Sequence, residues 1–248
     1  MFTNDLTPCH RQQTTVIKYA DDQTWSHAIS RGDHDYTHEE IENVYTWCTV
    51  NRMQLNLNKT KELLMHNFRI PPVVLPLHNR GVLIERVSSI SILGVTLQDN
   101  LTWVDHIDTL AKRLRRLSYA FRILATSCSK HDMKRLFYSV IMPTLLYACP
   151  AWCNLTAGEM KQLQRAIGPA SRMAGISIDV RSEIESEVTK LFNALAKHVR
   201  HPLHHLLPHR PSPHPSRRPR LPSTRAGTDR LRKHFISLAV RLFNVSHQ

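Results

Sequence analysis

From Trp103 onward the apolar residues change their period, and that change decides what this part of the chain can become. Val104, Ile107, Leu110, Leu114, Leu117, Phe121 and Leu124 recur at steps of three and four. Steps of that size line up along one side of an α-helix. The other side carries Lys112, Arg113, Arg115, Arg116 and Arg122. The stretch therefore reads as a helix that buries one face and offers cations on the other. Two further helices are expected behind it. Ser129 stands at an N-cap position ahead of Met133, Leu136, Phe137, Val140 and Ile141, with a kink or break at Pro143. Thr156 and Glu159 have the spacing of a capping box, in which a hydroxyl and a carboxylate satisfy each other's orphan backbone N–H groups.

Upstream of Trp103 the apolar runs are short and β-branched. Thr15-Val16-Ile17 leads into Tyr19-Ala20-Asp21-Asp22 and then Gln23-Thr24-Trp25. Residues 14–18 and 23–29 are predicted to be strands flanking a turn at Asp21-Asp22. A helix is expected from Thr37, with Glu40 completing a capping box, with Ile41, Val44, Tyr45 and Cys48 at helical spacing, and with an end near Met53. Strands are expected over 62–68 and 82–97, separated by Pro71-Pro72 and Asn79-Arg80-Gly81. The fold class that follows is α+β. A short helix is expected over 183–197. Residues 201–225, including His204-His205, Pro211-Ser212-Pro213 and Arg217-Arg218-Pro219-Arg220, lack apolar periodicity and are expected to be disordered or partly extended. A last amphipathic helix over 229–244 would use Leu231, Phe235, Leu238, Val240 and Leu242.

Charge divides the chain in a similar way. Residues 1–102 hold 9 Lys and Arg against 11 Asp and Glu, whereas residues 103–178 hold 11 against 4. Residues 197–248 hold 11 against 1. An acidic part that suits metal thus adjoins a basic part that suits phosphate. The five cysteines are odd in number and scattered through apolar segments, as in a reducing compartment, so no disulfide-linked partner is expected. Cys149-x₃-Cys153 lacks the second pair that a zinc site would need. The polar N-terminus has no apolar signal segment, and no apolar run approaches the roughly 20 residues of a membrane helix. An intracellular location, nuclear or cytoplasmic and not secreted, is the expectation, with no membrane association. Arg217-Arg218-Pro219-Arg220 would suit a nuclear signal.

Two adjacent carboxylates at a tight turn make a place to hold a divalent ion. Mg²⁺ prefers carboxylate oxygens and keeps waters or substrate phosphates in its other positions. Two such ions about 4 Å apart can stabilise both the attacking and the leaving oxygen of a phosphoryl transfer. Asp21 and Asp22 are therefore the candidate metal ligands. A two-ion site needs another carboxylate from a separate strand, and Asp5 is too near in sequence to supply it.

Several stretches together resemble the C-terminal part of the reverse transcriptase of a vertebrate or fish non-LTR (LINE-type) retrotransposon. They are, in order, Met1-Phe2-Thr3-Asn4-Asp5-Leu6, Lys18-Tyr19-Ala20-Asp21-Asp22, and Trp47-Cys48 through Leu55-Asn56-Leu57-Asn58-Lys59-Thr60-Lys61-Glu62. Leu93-Gly94-Val95-Thr96-Leu97, Leu101-Thr102-Trp103 and His106-Ile107 complete the set. The resemblance implies a partial palm over 1–102, a helical basic thumb over 103–178 and a basic tail over 179–248. It implies RNA-directed DNA polymerase ancestry, with an RNA template and a DNA primer as partners and Mg²⁺ as cofactor. Asp21 and Asp22 would hold metal, and Lys59 would approach the phosphates of the incoming nucleotide. Leu93, Gly94 and Val95 would form the primer grip, and Arg113, Arg115, Arg116 and Arg122 would contact backbone phosphates. Family members also use an earlier aspartate and a Gly-rich template-binding segment. Neither has a counterpart here, so the chain is expected to be a truncated polymerase, inactive alone. Gly168-Pro169 departs from the pattern, because relatives keep an uninterrupted helix there.

Two other readings compete. One is a non-catalytic nucleic-acid-binding remnant that relies on the basic thumb and tail. Trp103 and Tyr119 would stack on bases in such a protein, although core packing is the simpler expectation for both. The other rests on His106-x-Asp108, the first two ligands of a non-haem Fe(II) facial triad, and points to an AlkB-type association with tRNA modification or alkylation repair. The pair lies on the helical period. No distal His and 2-oxoglutarate-binding Arg follow in a β pattern, and no Gly-rich loop for S-adenosylmethionine is present.

Overall fold

The computed structural model describes residues 3, 5–30, 33–66, 73–208, 221–222 and 234–246. Expectations for Met1, Phe2, Asn4, 67–68, Pro71-Pro72, Pro211-Ser212-Pro213, Arg217-Arg218-Pro219-Arg220 and 229–233 lie outside those residues. The architecture is α+β in two units, Met1–Ile92 with Leu97–Thr102, and Leu93–Thr96 with Trp103–Gln248.

In the first unit, β1 (Thr14–Tyr19) and β2 (Asp22–His27) form an antiparallel hairpin in which Tyr19 faces Asp22. Its two-residue turn is Ala20-Asp21, with Ala20 in the left-handed region at φ 54°. Helix α1 (Thr37–Val50) follows and ends three residues before the expected Met53. The capping box expected at its start does not form. Asp35 takes both the hydroxyl and the amide of Thr37. Glu40, only 4 % exposed, turns instead to the N-terminal segment and accepts the N–H groups of Cys9 at 3.0 Å and His10 at 2.9 Å.

The long strands expected over 62–68 and 82–97 are replaced by short ones. They are β3 (Lys61–Glu62), β4 (His78–Asn79), β5 (Val82–Leu83), β6 (Glu85–Arg86), β7 (Ser89–Ile92) and β8 (Val95–Gln98). β3 pairs parallel with β6, β4 pairs with β5, and β7 pairs with β8. Two consecutive residues with positive φ reverse the chain at Arg80-Gly81 (47° and 79°) and at Leu93-Gly94 (48° and 79°). Paired positive φ values are the signature of the type I′ hairpin turn, whose twist matches that of the strands it joins.

The second unit is helical. Helix α2 (Val104–Leu124) buries Ile107, Leu110, Leu114 and Phe121 of the expected stripe, together with Ala111, whereas Leu117 is half-buried and Val104 and Leu124 at the two ends are exposed. Helix α3 (Lys130–Leu136) is capped by Ser129, whose hydroxyl accepts the Asp132 N–H at 3.2 Å. The chain does not break at Pro143. A widened π-type turn over Phe137–Ile141 leads directly into α4 (Met142–Leu146), and the Met142 N–H bonds the Phe137 carbonyl five residues back. Widening moves the backbone away from the clash that a proline ring makes with the carbonyl four residues earlier. Helix α5 (Cys149–Trp152) is a single turn. Helix α6 (Ala157–Met173) has the predicted Thr156–Glu159 capping box and runs through Gly168-Pro169 without interruption. Ala166, Ile167 and Ala170 are buried on both sides of that proline, so packing holds the helix where local propensity would end it.

Helices α2 and α6 start together and run in the same direction. Trp103 Nε1 donates to Asn154 just ahead of α6, Gln162 donates to Asp108 at 2.6 Å, and the Ser118 hydroxyl donates to the Ala166 carbonyl at 2.7 Å. Helix α7 (Val180–Lys197) buries Val180, Ile184, Val188, Phe192 and Leu195 in the same core. Helix α8 (Phe235–Ser246) adds Phe235, Leu238, Ala239 and Val240 to it. The boundary expected at 178, with a tail beyond, is therefore not where packing stops. Helix α7 carries Glu183, Glu185 and Glu187 beside its buried apolar stripe, so a charged composition and a packed face coexist on one helix. Residues 204–206, expected to lack regular structure, make one 3₁₀ turn. No described helix is long and apolar enough to cross a membrane.

Candidate functional site

Asp21 and Asp22 sit at the tip of the β1–β2 hairpin, one in the turn and one at the first position of β2, and both are exposed. Neither carboxylate makes a hydrogen bond or ion pair among the described residues. Lys18, in the same motif, is used structurally and donates to the carbonyls of Thr3 and Leu6. Asp5 accepts the Trp47 indole N–H at 3.2 Å and so belongs to the contact with α1. Among the described residues no three His, Cys, Asp or Glu side chains are placed to hold a metal ion together. The hairpin supplies hard oxygen donors of the kind Mg²⁺ takes, but two carboxylates fall short of a two-ion centre.

Lys59 is exposed in a turn after α1, where its backbone N–H is held by the carbonyl and side-chain oxygen of Asn56. No hydrogen bond or ion pair joins it to Asp21 or Asp22. Leu93 and Gly94 form the reversal between β7 and β8, and Val95 is the first residue of β8. The Tyr147 hydroxyl donates to the Leu93 carbonyl at 2.8 Å.

His106 and Asp108 point to different places. The His106 imidazole is buried at 6 % exposure, with ring centroids 6.1 Å from Trp103 and 5.5 Å from Trp152. Its Nδ1 accepts the Thr96 N–H at 3.3 Å, so the neutral ring carries its proton on Nε2, which has no partner among the described residues. Burial lowers the His106 pKa from its ordinary value. Asp108 is taken by Gln162. Burial also pushes the Cys149 thiol up to about 12 and the Cys153 thiol to about 11, so both are neutral packing groups.

The basic helices hold a more coherent site. Arg113, Arg115, Arg116 and Arg122 are all exposed on α2. At about 100° per residue, Lys112, Arg116, Tyr119 and Ile123 share one line along the outer ridge, and Arg115 and Arg122 lie on its flank. On α6, the exposed Lys161 and Arg165 stand one turn apart. With Arg115, Gly158 and Gln162 they line an open groove of about 460 Å³. Among the described residues, the ion pairs made by Lys or Arg are Lys61–Glu85, Arg86–Glu62 and Lys190–Glu187. Among the described residues, none of these ion pairs involves a cation of α2 or α6. The nearby acids are engaged elsewhere: Glu159 holds the Thr156 cap and Asp108 holds Gln162. Asp105 lies on the first turn of α2, seven residues before Lys112. Such an array of exposed cations can meet successive phosphates of a backbone without reading bases.

Sequence reasoning missed two parts of this face. Lys161 and Arg165 carry the spacing of an exposed helical pair, but only the packing of α6 beside α2 brings them to Arg115. Tyr119 was expected in the core and is instead 63 % exposed. Trp103 is half-buried and packs against the core through a bond to Asn154.

No protein-family model matches the chain, and no curated protein or solved structure matches it.

Proposed function

We propose that this protein binds nucleic acid through the α2–α6 face and belongs to the reverse transcriptase lineage of non-LTR retrotransposons. The observation that carries the reading is the array of Arg113, Arg115, Arg116, Arg122, Lys161 and Arg165, all exposed and none of them in an ion pair among the described residues. Unpaired cations repel one another, and the phosphates of a polyanion relieve that repulsion. The lineage is supported by the ordered motifs around Tyr19-Ala20-Asp21-Asp22, Leu55–Glu62 and Leu93–Trp103. In this reading the first unit corresponds to palm and the second to thumb. Asp21 and Asp22 would hold Mg²⁺ only together with a further carboxylate supplied from elsewhere. Mg²⁺ bound there would neutralise charge on transferring phosphates. Lys59, exposed and in no ion pair among the described residues, would meet phosphates of an incoming nucleotide. The Leu93-Gly94 reversal, with Val95 beginning β8, would offer backbone to a primer end. Alone, the chain is proposed to bind an RNA–DNA hybrid without extending it.

The test is binding of a labelled RNA–DNA hybrid by the full chain, beside Arg113→Gln/Arg115→Gln/Arg116→Gln/Arg122→Gln and Asp21→Ala/Asp22→Ala. The arginine variant should lose most of the affinity and the aspartate variant should keep it. Equal affinity in all three proteins would remove the α2–α6 face as the site. Primer extension with Mg²⁺ by the parent, lost in the aspartate variant, would favour an active polymerase instead.

A further inference from the structure

We infer that the outer ridge of α2 stacks an unpaired base on Tyr119, so that the face prefers a single strand of nucleic acid to a duplex. The inference rests on the reading that the α2–α6 face binds nucleic acid, and it adds a strand preference that the cations alone do not give. Tyr119 is 63 % exposed, and its ring meets no other aromatic ring and no guanidinium among the described residues. Ile123, one turn further along the same line, is 58 % exposed. An exposed aromatic beside an exposed aliphatic is costly to leave in water, and here the pair stands among cations.

The spacing fits a stacked base held by its own backbone. Arg116 precedes Tyr119 by three residues and Arg122 follows it by three, each an axial rise of about 4.5 Å. Arg115, one turn before Tyr119, opens toward Lys161 and Arg165 across the groove. A base lying on Tyr119 would therefore have cations ready for the phosphates on both of its sides. The bases of a duplex stack on one another and leave no face for the ring. Cation contacts alone would bind either form, because they read only phosphates. Stacking is tolerant of sequence, since every base has a π face. The ligand class is thus single-stranded RNA or DNA of mixed sequence.

The experiment is fluorescence anisotropy of the full chain with a labelled RNA oligonucleotide, its DNA equivalent and the matched duplex. The proteins are the parent, Tyr119→Ala, Tyr119→Phe and Arg115→Gln/Arg116→Gln/Arg122→Gln. Tyr119 is exposed, so its variants should keep the circular dichroism spectrum of the parent. Tyr119→Ala should weaken single-strand binding by about tenfold or more and change duplex binding less than twofold. Tyr119→Phe, which keeps the ring, should bind as the parent does. An equal loss on single strand and duplex, or no loss on either, would overturn the stacking role. Failure of the arginine variant to weaken any binding would overturn the underlying interface instead. The RNA and DNA arms then report whether the sugar matters.

Discussion

Phe192→Ala asks whether α7 belongs to the helical core or trails behind it. Phe192 is 2 % exposed, and its ring centroid lies 5.8 Å from that of Phe243 on α8. Returning a buried Phe side chain to water costs about 1.5–3 kcal/mol by transfer alone. The void left among Val188, Leu195 and α8 adds to that, because the neighbours close it only partly. Phe→Ala changes in cores therefore cost about 3–5 kcal/mol in all. With a urea slope of about 2 kcal/mol per M, the midpoint of unfolding should fall by roughly 2 M with the slope unchanged. The assay is a urea titration followed by far-UV circular dichroism, with Tyr119→Ala as the surface control, expected within about 0.5 kcal/mol of the parent. A midpoint shift below about 0.5 M in Phe192→Ala would show that 180–197 are a tail, as their composition suggests, and the packing described here would be wrong.

Three further expectations follow from single contacts. His106 is held neutral by burial, so its folded pKa lies below the unfolded value of about 6.5. The unfolded chain then binds more protons across that window. Stability should be fully present above about pH 6.5 and fall as pH drops below it, and urea titrations across the window should show this slope removed in His106→Gln. The same slope in both proteins would assign it to other groups. Gly94→Ala should cost about 1 kcal/mol through its φ of 79° alone, since an added Cβ would sit 3.5 Å from Tyr147, an ordinary contact. A loss well above about 2 kcal/mol in the unfolding midpoint would point to crowding instead. Thr156→Ala removes a hydroxyl that accepts the Glu159 N–H and donates to its carboxylate, and should lower stability by about 1 kcal/mol in the same assay. No measurable change would mean that α6 starts by packing alone.

What the sequence revealed depended on the range of the interaction behind it. The middle of the α2 period and the Thr156–Glu159 box are written within a few residues and appear as expected, while Val104 and Leu124 at the ends of α2 face water. The Thr37–Glu40 box has the same local spelling, yet Glu40 is claimed by backbone N–H groups 30 and 31 residues away. Pro143 and Pro169 are breakers by local rule, but buried neighbours on both sides keep their helices running. The strands between 61 and 98 were overextended because paired left-handed residues, Leu93-Gly94 above all, are less visible than β-branched runs. For the site, the kinds of residue were legible and their freedom was not. Nothing in the order of residues says that Arg115 makes no ion pair among the described residues, that Lys161 and Arg165 come to it, or that Tyr119 faces water.

The most direct test of the interface is the salt dependence of binding a single-stranded RNA, for the parent and the four-arginine variant of α2. Each phosphate neutralised contributes about −0.7 to the slope of log K against log salt on a single strand. The six cations Arg113, Arg115, Arg116, Arg122, Lys161 and Arg165, each meeting one phosphate, predict a slope near −4 for the parent, and loss of the four arginines of α2 should make it shallower by about 3. A slope unchanged by the four substitutions would place the binding on other basic segments of the chain and contradict the α2–α6 interface.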